Sequence, residues 1–175
     1  MNEIIEALKE RRSVRKFKPE LPDRDAVDQI IDAGLYAASG MGRQSVIIID
    51  VAEKKLRDRL SEANCRIGGW KPEFDPFYGA PEVLIVLADK NVPTYLYDGS
   101  LAMGYLMNAA HAVGLGSCWI HRAKEEFEME EFRQILRSLG VEGEYEGIGH
   151  CVIGYADGEI PDAAARKEGR VFHIG

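Results

Sequence analysis

One stretch dominates the folding problem. From Asp98 to Val113 the chain reads as a helix that is apolar almost all the way round, through Leu101, Met103, Leu106, Met107, Ala109, Ala110 and Ala112. A helix without a polar face must be enclosed, at the centre of a core or against another surface. Gly114-Leu115-Gly116 ends it, glycine being the residue that best tolerates a left-handed stop. The rest of the chain has to wrap around this helix. Its 175 residues suffice for one domain spanning 1–175, with no internal repeat or flexible linker to divide it.

The partners of that helix are legible from periodicity. Residues 2–11 place Ile4, Ile5 and Leu8 on one face of a short helix. Asp23 caps a second helix, with Val27, Ile30, Ile31 and Leu35 at helical spacing, running to about Ala38. Val46–Val51 is a β-branched strand. Glu53–Asn64 is helical through Leu56, Leu60 and Ala63, and residues 65–80 are rich in turns. Val83–Ala88, Ser117–His121 and Gly147–Tyr155 read as three more strands. Glu125–Leu139 is an amphipathic helix with Phe127, Phe132, Ile135, Leu136 and Leu139 inward, and Val171–Ile174 is a strand-like run at the end of a polar tail. Strands and helices mixed in this way predict a layered domain. The pattern leaves open whether the sheet is parallel or antiparallel.

Composition narrows the function. The apolar fraction of 46% is too high for a disordered chain. No apolar run approaches the ~20 residues that span a bilayer, and residues 1–20 carry no signal-peptide pattern, so a cytoplasmic protein is expected. Three widely spaced cysteines, Cys65, Cys118 and Cys151, argue for reduced thiols. A net charge of −7 argues against nucleic-acid or anionic-membrane partners. Against that background, positions 9–18 (KERRSVRKFK) hold six basic residues and one acid. Two readings compete for this window. Lys and Arg favour a helix C-terminus, where the dipole is negative. Arg11, Arg12 and Arg15 are also dense enough to hold a small phosphorylated ligand, with Ser13 as a neutral donor and Arg166 and Lys167 as a second basic group.

Other chemistries fit poorly. Cys118, His121, His150 and Cys151 are a zinc set on paper, but adjacent strand residues point to opposite faces, so His150 and Cys151 do not aim at one ion. No G-x-S-x-G, no G-x-G-x-x-G after a strand and no phosphate-loop motif is present. A phosphate held here must be held by side chains.

Five segments, in order, resemble one family. Glu10-Arg11-Arg12-Ser13-Val14-Arg15-Lys16-Phe17 resembles the opening of the FMN-dependent nitroreductases; Ala38–Ser45 resembles their glycine-bearing loop, with Ala38, Gly42 and Ser45-Val46 where the family often has Pro, Asn and Pro-Trp. Gly79-Ala80-Pro81 resembles their A-P strand start. The long helix followed by Gly114–Trp119, and the strand Gly149–Tyr155 followed by Arg166-Lys167, resemble the rest. The resemblance covers essentially the whole chain. It implies an α+β fold, a three-layer sheet flanked by helices, with a domain-swapped C-terminal strand.

It also implies a homodimer with FMN at the interface. Arg11, Ser13 and Arg12 then correspond to the phosphate site, and Arg15 to the pyrimidine edge of the ring. Ala38, Ser39, Gly40 and Gln44 correspond to the loop that reaches the flavin from the other subunit. Asn64 lies near a family amide that contacts the pyrimidine, and Ile120, His121 and Arg122 match the strand end facing N5. Arg166 and Lys167 match a second phosphate clamp. No metal and no catalytic side chain are implied. The expected activity is hydride transfer from NADH or NADPH through flavin N5 to a nitroaromatic, quinone or similar acceptor, in a ping-pong cycle. The alternative is a flavin-binding storage or sensing protein of the same fold with little turnover.

Overall fold

The computed structural model describes residues 2–175. Its elements run α1 (Glu3–Glu10), α2 (Arg24–Leu35), β1 (Val46–Val51), α3 (Lys54–Gly68), β2 (Glu82–Asp89), α4 (Tyr95–Ala112), β3 (Gly116–Ile120), α5 (Ala123–Glu128), α6 (Glu130–Ser138) and β4 (Tyr145–Gly154). The four strands form one sheet in the order β1-β2-β4-β3, antiparallel throughout. That settles the question the sequence left open.

The sheet separates two cores. Val83, Ile85 and Leu87 of β2 face Leu60 and Ala63 of α3 and Phe127, Phe132 and Leu136 of α5 and α6. Leu84 and Val86 face the other way, against Val27 and Ile30 of α2 and Met103, Leu106 and Ala110 of α4. Alternation along a strand buried on both sides thus produces three layers, helix on sheet on helix. The long apolar helix is less enclosed than its composition suggests. One face packs on the sheet, and the other exposes Tyr97, Leu101 and Tyr105. α1 has no buried residue, and its Ile4, Ile5 and Leu8 are also exposed.

Several boundaries differ from the periodicity. α2 ends at Leu35 rather than near Ala38, and Leu35 itself is exposed. The expected helix 125–139 is two helices, broken at Met129 in an extended conformation (ψ 138°). On an unbroken helix Phe127 and Phe132 would diverge by about 140°; the break turns both into the same core. Leu139 is exposed instead of inward. Val171–Ile174 forms no strand within this chain, and every residue from 158 to 175 is exposed.

At the far edge of the sheet, Arg24 bridges Asp50 (2.7 Å) and the buried Glu82 (3.2 Å). Burial, and then the neighbouring Asp50, push the Glu82 carboxyl up to about 7 against the pull of Arg24.

Candidate functional site

The basic window is strapped to the open edge of β3. Ser13 bridges Ser117 in parallel, with the Val14 N–H donating to the Ser117 carbonyl (2.9 Å). Further on, the Lys18 N–H donates to the Tyr155 carbonyl, and the Asp157 N–H to that of Lys16 (3.0 Å). Val14 and Phe17 are buried as the anchors of this strap. Beside this strap, burial raises the Cys118 thiol above its ordinary value, against the opposing pull of Arg15, Ser13 and Arg11. A hollow of about 390 Å³ lies between Ser13–Lys16 and Ala156–Pro161.

The two readings of the window divide between neighbouring arginines. Arg12 caps α1, its Nη1 donating to the carbonyls of Lys9 (2.6 Å) and Arg11 (2.7 Å). Arg11 makes no such cap and leaves a buried Nη1 with no hydrogen-bond partner; the Nε of Arg12 is also buried without one. Lys16 is paired with Asp157.

β3 ends at a sharp corner. Ile120 is buried and His121 exposed, and Arg122 adopts φ 83°, a left-handed conformation that costs a non-glycine residue about 1 kcal/mol. The Arg122 carbonyl accepts from the Glu126 N–H (3.0 Å), and its guanidinium pairs with Glu125 (2.9 Å). A cavity of about 600 Å³ opens on this corner between Trp119–Arg122 and Trp70, Lys71, Phe74, Pro76 and Tyr78 of the α3–β2 connection. Trp70, Phe74 and Tyr78 stack edge to face. Asp75 organises the connection behind them: it accepts from Arg57 (2.5 Å), Ser61 (2.5 Å) and the N–H groups of Phe77 and Gly79. Burial alone would raise the Asp75 carboxyl, but the Arg57 and Ser61 bonds outweigh it and hold the carboxyl below its usual value.

The loop after α2 is held from α4. Asp98, buried, accepts from the Gly40 N–H (3.0 Å), the Ser45 hydroxyl (2.7 Å) and the Thr94 hydroxyl (3.1 Å). Against the opposing effect of burial, these three donors hold its carboxyl below the ordinary range. A Cβ at Gly40 would overlap Thr94, so only glycine fits there. Ser39 accepts from the Gln44 N–H (3.0 Å), and Ala38 and Gln44 stay exposed.

Asn64 is not at a surface. It is fully buried behind the corner of β3, where its Nδ2 donates to the His121 carbonyl (2.7 Å) and to Glu126 (2.8 Å). Arg166 and Lys167 lie on the exposed tail. His150 and Cys151 do face opposite sides of the sheet, His150 against Phe77 and Cys151 in the α2–α4 core. Asp98 and Glu126 escaped the sequence reading as site residues, and His150 entered it only in the zinc set that was rejected; Asp98 and His150 carried the signal of a polar residue inside an otherwise apolar helix or strand, whereas Glu126, in the charged stretch AKEEFE, carried none.

A model of the nitroreductase family matches residues 8–67 and 69–155. This chain belongs to the nitroreductase family. Among solved structures, a nitroreductase with bound FMN from Bacteroides fragilis superposes with a TM-score of 0.88 at 27% identity, each chain covered in full. The FMN reductase [NAD(P)H] of Bacillus subtilis is 30% identical over 139 residues, 67% of this chain and 53% of that protein; the chain thus spans about half the length of that relative. An iodotyrosine deiodinase from Thermotoga neapolitana is 25% identical over 92% of each chain. The nitroreductase fold, α+β in three layers, is the one expected from the motifs. Among the described residues no helix is long and apolar enough to cross a membrane.

Proposed function

We propose that this nitroreductase-family chain is an FMN-dependent NAD(P)H oxidoreductase, acting as one cytoplasmic domain over residues 1–175 and as a homodimer. The observation that carries the reading is Arg11: a buried guanidinium nitrogen without a partner, two residues before Ser13, which bridges β3, the strand whose far end turns at His121 and Arg122. An unpartnered buried donor is costly, and a phosphate dianion is the ligand a guanidinium fork suits best. The residues present therefore fit FMN. Arg11 and Ser13 would hold its phosphate, with Arg12 fixing the helix end beside them. Arg15 would place a cation at the pyrimidine edge, where reduced flavin gathers negative charge. The corner Ile120–Arg122 would present backbone groups to the ring.

When bound, FMN supplies the two-electron carrier between NAD(P)H and an acceptor, and the ping-pong order follows if donor and acceptor use one site in turn. The cavity walled by Trp70, Phe74, Tyr78 and Trp119 suits a planar acceptor such as a quinone or nitroaromatic. The exposed Tyr97, Leu101 and Tyr105 of α4, with Ile4, Ile5 and Leu8 of α1, supply an apolar surface of the kind that a second copy covers. That copy would bring Ala38, Ser39, Gly40 and Gln44 toward the flavin. The tail, carrying Arg166, Lys167 and the Val171–Ile174 run, would add its strand to the partner's sheet.

Reconstitution tests this. The purified protein should take up FMN with a 1:1 flavin-to-chain ratio, bleach under NADH or NADPH, and regain colour on adding a quinone or nitroaromatic. Flavin uptake with no bleaching by either nucleotide would instead favour storage or sensing. No uptake of FMN would refute both.

A further inference from the structure

Three buried polar side chains lie directly behind the corner that the proposed function places at the flavin. Asn64 of α3, Glu126 of α5 and His150 of β4 are each fully buried. They form one chain: His150 Nε2 lies 2.7 Å from Glu126 Oε2, Asn64 Nδ2 donates to Glu126 Oε1 (2.8 Å), and the same Nδ2 donates to the His121 carbonyl (2.7 Å). His150 is also the residue directly opposite Ile120 in the β3–β4 register. The chain therefore grips the corner twice, once through the backbone ladder and once through the amide of Asn64.

As a stability device this is a poor choice. A buried carboxylate with one amide and one imidazole is generally no better than apolar side chains of the same volume. Here it also leaves Asn64 Oδ1 and His150 Nδ1 buried with no partner. What the chain does supply is direction. The residue after His121 is the left-handed Arg122, a conformation that persists only where its surroundings over-determine it. α5 fixes the far side of Arg122 through the Glu126 N–H, and Asn64 fixes the near side through the His121 carbonyl. Glu126 belongs to both restraints: its backbone holds the Arg122 carbonyl, and its side chain aims Asn64.

We infer that Asn64, Glu126 and His150 are positioning residues that set the orientation of the His121–Arg122 peptide toward the bound cofactor. This rests on the FMN reading for its purpose, while the mechanical claim concerns this chain alone. Asn64 acts through His121 and does not itself touch the ring.

The test compares Asn64→Leu with Leu60→Ala. Leu60 is fully buried on the same helix, one turn earlier, and its truncation costs stability without touching the corner. In apoprotein, amide hydrogen exchange at 121–123, measured relative to the β2 amides, should be about tenfold faster in Asn64→Leu and unchanged in Leu60→Ala. With FMN added, Asn64→Leu should weaken the Kd about tenfold and shift the flavin midpoint potential, at a Tm no lower than that of Leu60→Ala. Glu126→Gln, which keeps an oxygen for Asn64 and an N–H for His150, should retain wild-type exchange, Kd and potential; if Asn64→Leu does not fold, Glu126→Gln against Glu126→Leu gives the same comparison. The inference is overturned if Asn64→Leu matches Leu60→Ala in both exchange and flavin binding, or if Glu126→Gln loses both. Wild-type protein that takes up no FMN would refute the flavin reading alone, and the exchange measurements would still decide the mechanical claim.

Discussion

Removing the Asp98 carboxylate should loosen the loop that carries Ser39 and Gly40 and should cost measurable stability. Asp98 accepts three hydrogen bonds, from Gly40 N–H, Ser45 Oγ and Thr94 Oγ1. In Asp98→Ala the Gly40 and Thr94 donors, only partly buried, recover much of their loss from water. Ser45 is buried and cannot. One orphaned buried hydroxyl costs about 1–3 kcal/mol, and losing a charged acceptor for the other two adds about 1 kcal/mol more. The expected total is about 3 kcal/mol, which for a chain of this size lowers Tm by roughly 6–12 °C. Asp98→Asn should cost less, about 1–2 kcal/mol, because the Ser45 hydroxyl can turn to keep one bond. The pH dependence has a fixed sign. The folded carboxyl titrates below its ordinary 3.8, so its contribution is complete above that value and disappears as pH falls through the lower folded one. Thermal melts from pH 3 to 8 should show the gap between wild type and Asp98→Asn closing only at the acid end. An Asp98→Ala melt within about 2 °C of wild type at pH 7 would refute the reasoning, as would a gap that persists unchanged in acid.

Four further outcomes are expected. Arg11→Ala should weaken FMN binding about tenfold to a hundredfold by titration while leaving the circular dichroism spectrum intact; unchanged affinity would remove Arg11 from the site. Glu82 titrates in the folded state at about 7, above its ordinary 4.5, so its contribution is complete below 4.5 and is lost as pH rises from there through 7; Glu82→Gln should therefore flatten the fall in Tm across that window, from about pH 4.5 to 7. At Gly147 a Cβ would overlap the Ala123 carbonyl group of the adjoining backbone, so Gly147→Ala should lift the start of α5, lowering Tm by several degrees and FMN affinity with it. Deleting residues 169–175 should weaken dimerisation and FMN retention together, read by light scattering and flavin content; a truncated protein that stays dimeric and yellow would detach the tail from both.

The layers were legible because burial on both faces of β2 writes itself as an unbroken apolar run, and because α2 and α3 keep their helical spacing. The motifs around Arg11–Phe17 and Gly114–Trp119 likewise lay close together in sequence. What stayed hidden was assembled from distant positions. Asn64, Glu126 and His150 meet only when α3, α5 and β4 close on one corner, and taken singly each looks like an ordinary polar residue. The break at Met129 carries no glycine or proline and follows from the demand that Phe127 and Phe132 share a core. Arg12 and Arg11 are identical in type and adjacent, yet only their surroundings turn the Nη1 of Arg12 onto the helix end and leave that of Arg11 without a partner.

The strand order has a kinetic consequence. β2 sits in the middle of the sheet, yet its neighbours are β1, reached across α3, and β4, reached only after residues 90–144 have been traversed. None of these pairings is a tight hairpin that could zip locally. Proteins dominated by such long-range closures fold slowly, on the scale of milliseconds to seconds, because loop entropy is lost before the contacts are gained. During that interval the run Val83–Ala88, apolar throughout and without a charge, is an open template for other chains. Yield of soluble protein should therefore depend on how long β2 waits for β4, improving at lower synthesis temperature and lower chain concentration even when the finished molecule is equally stable.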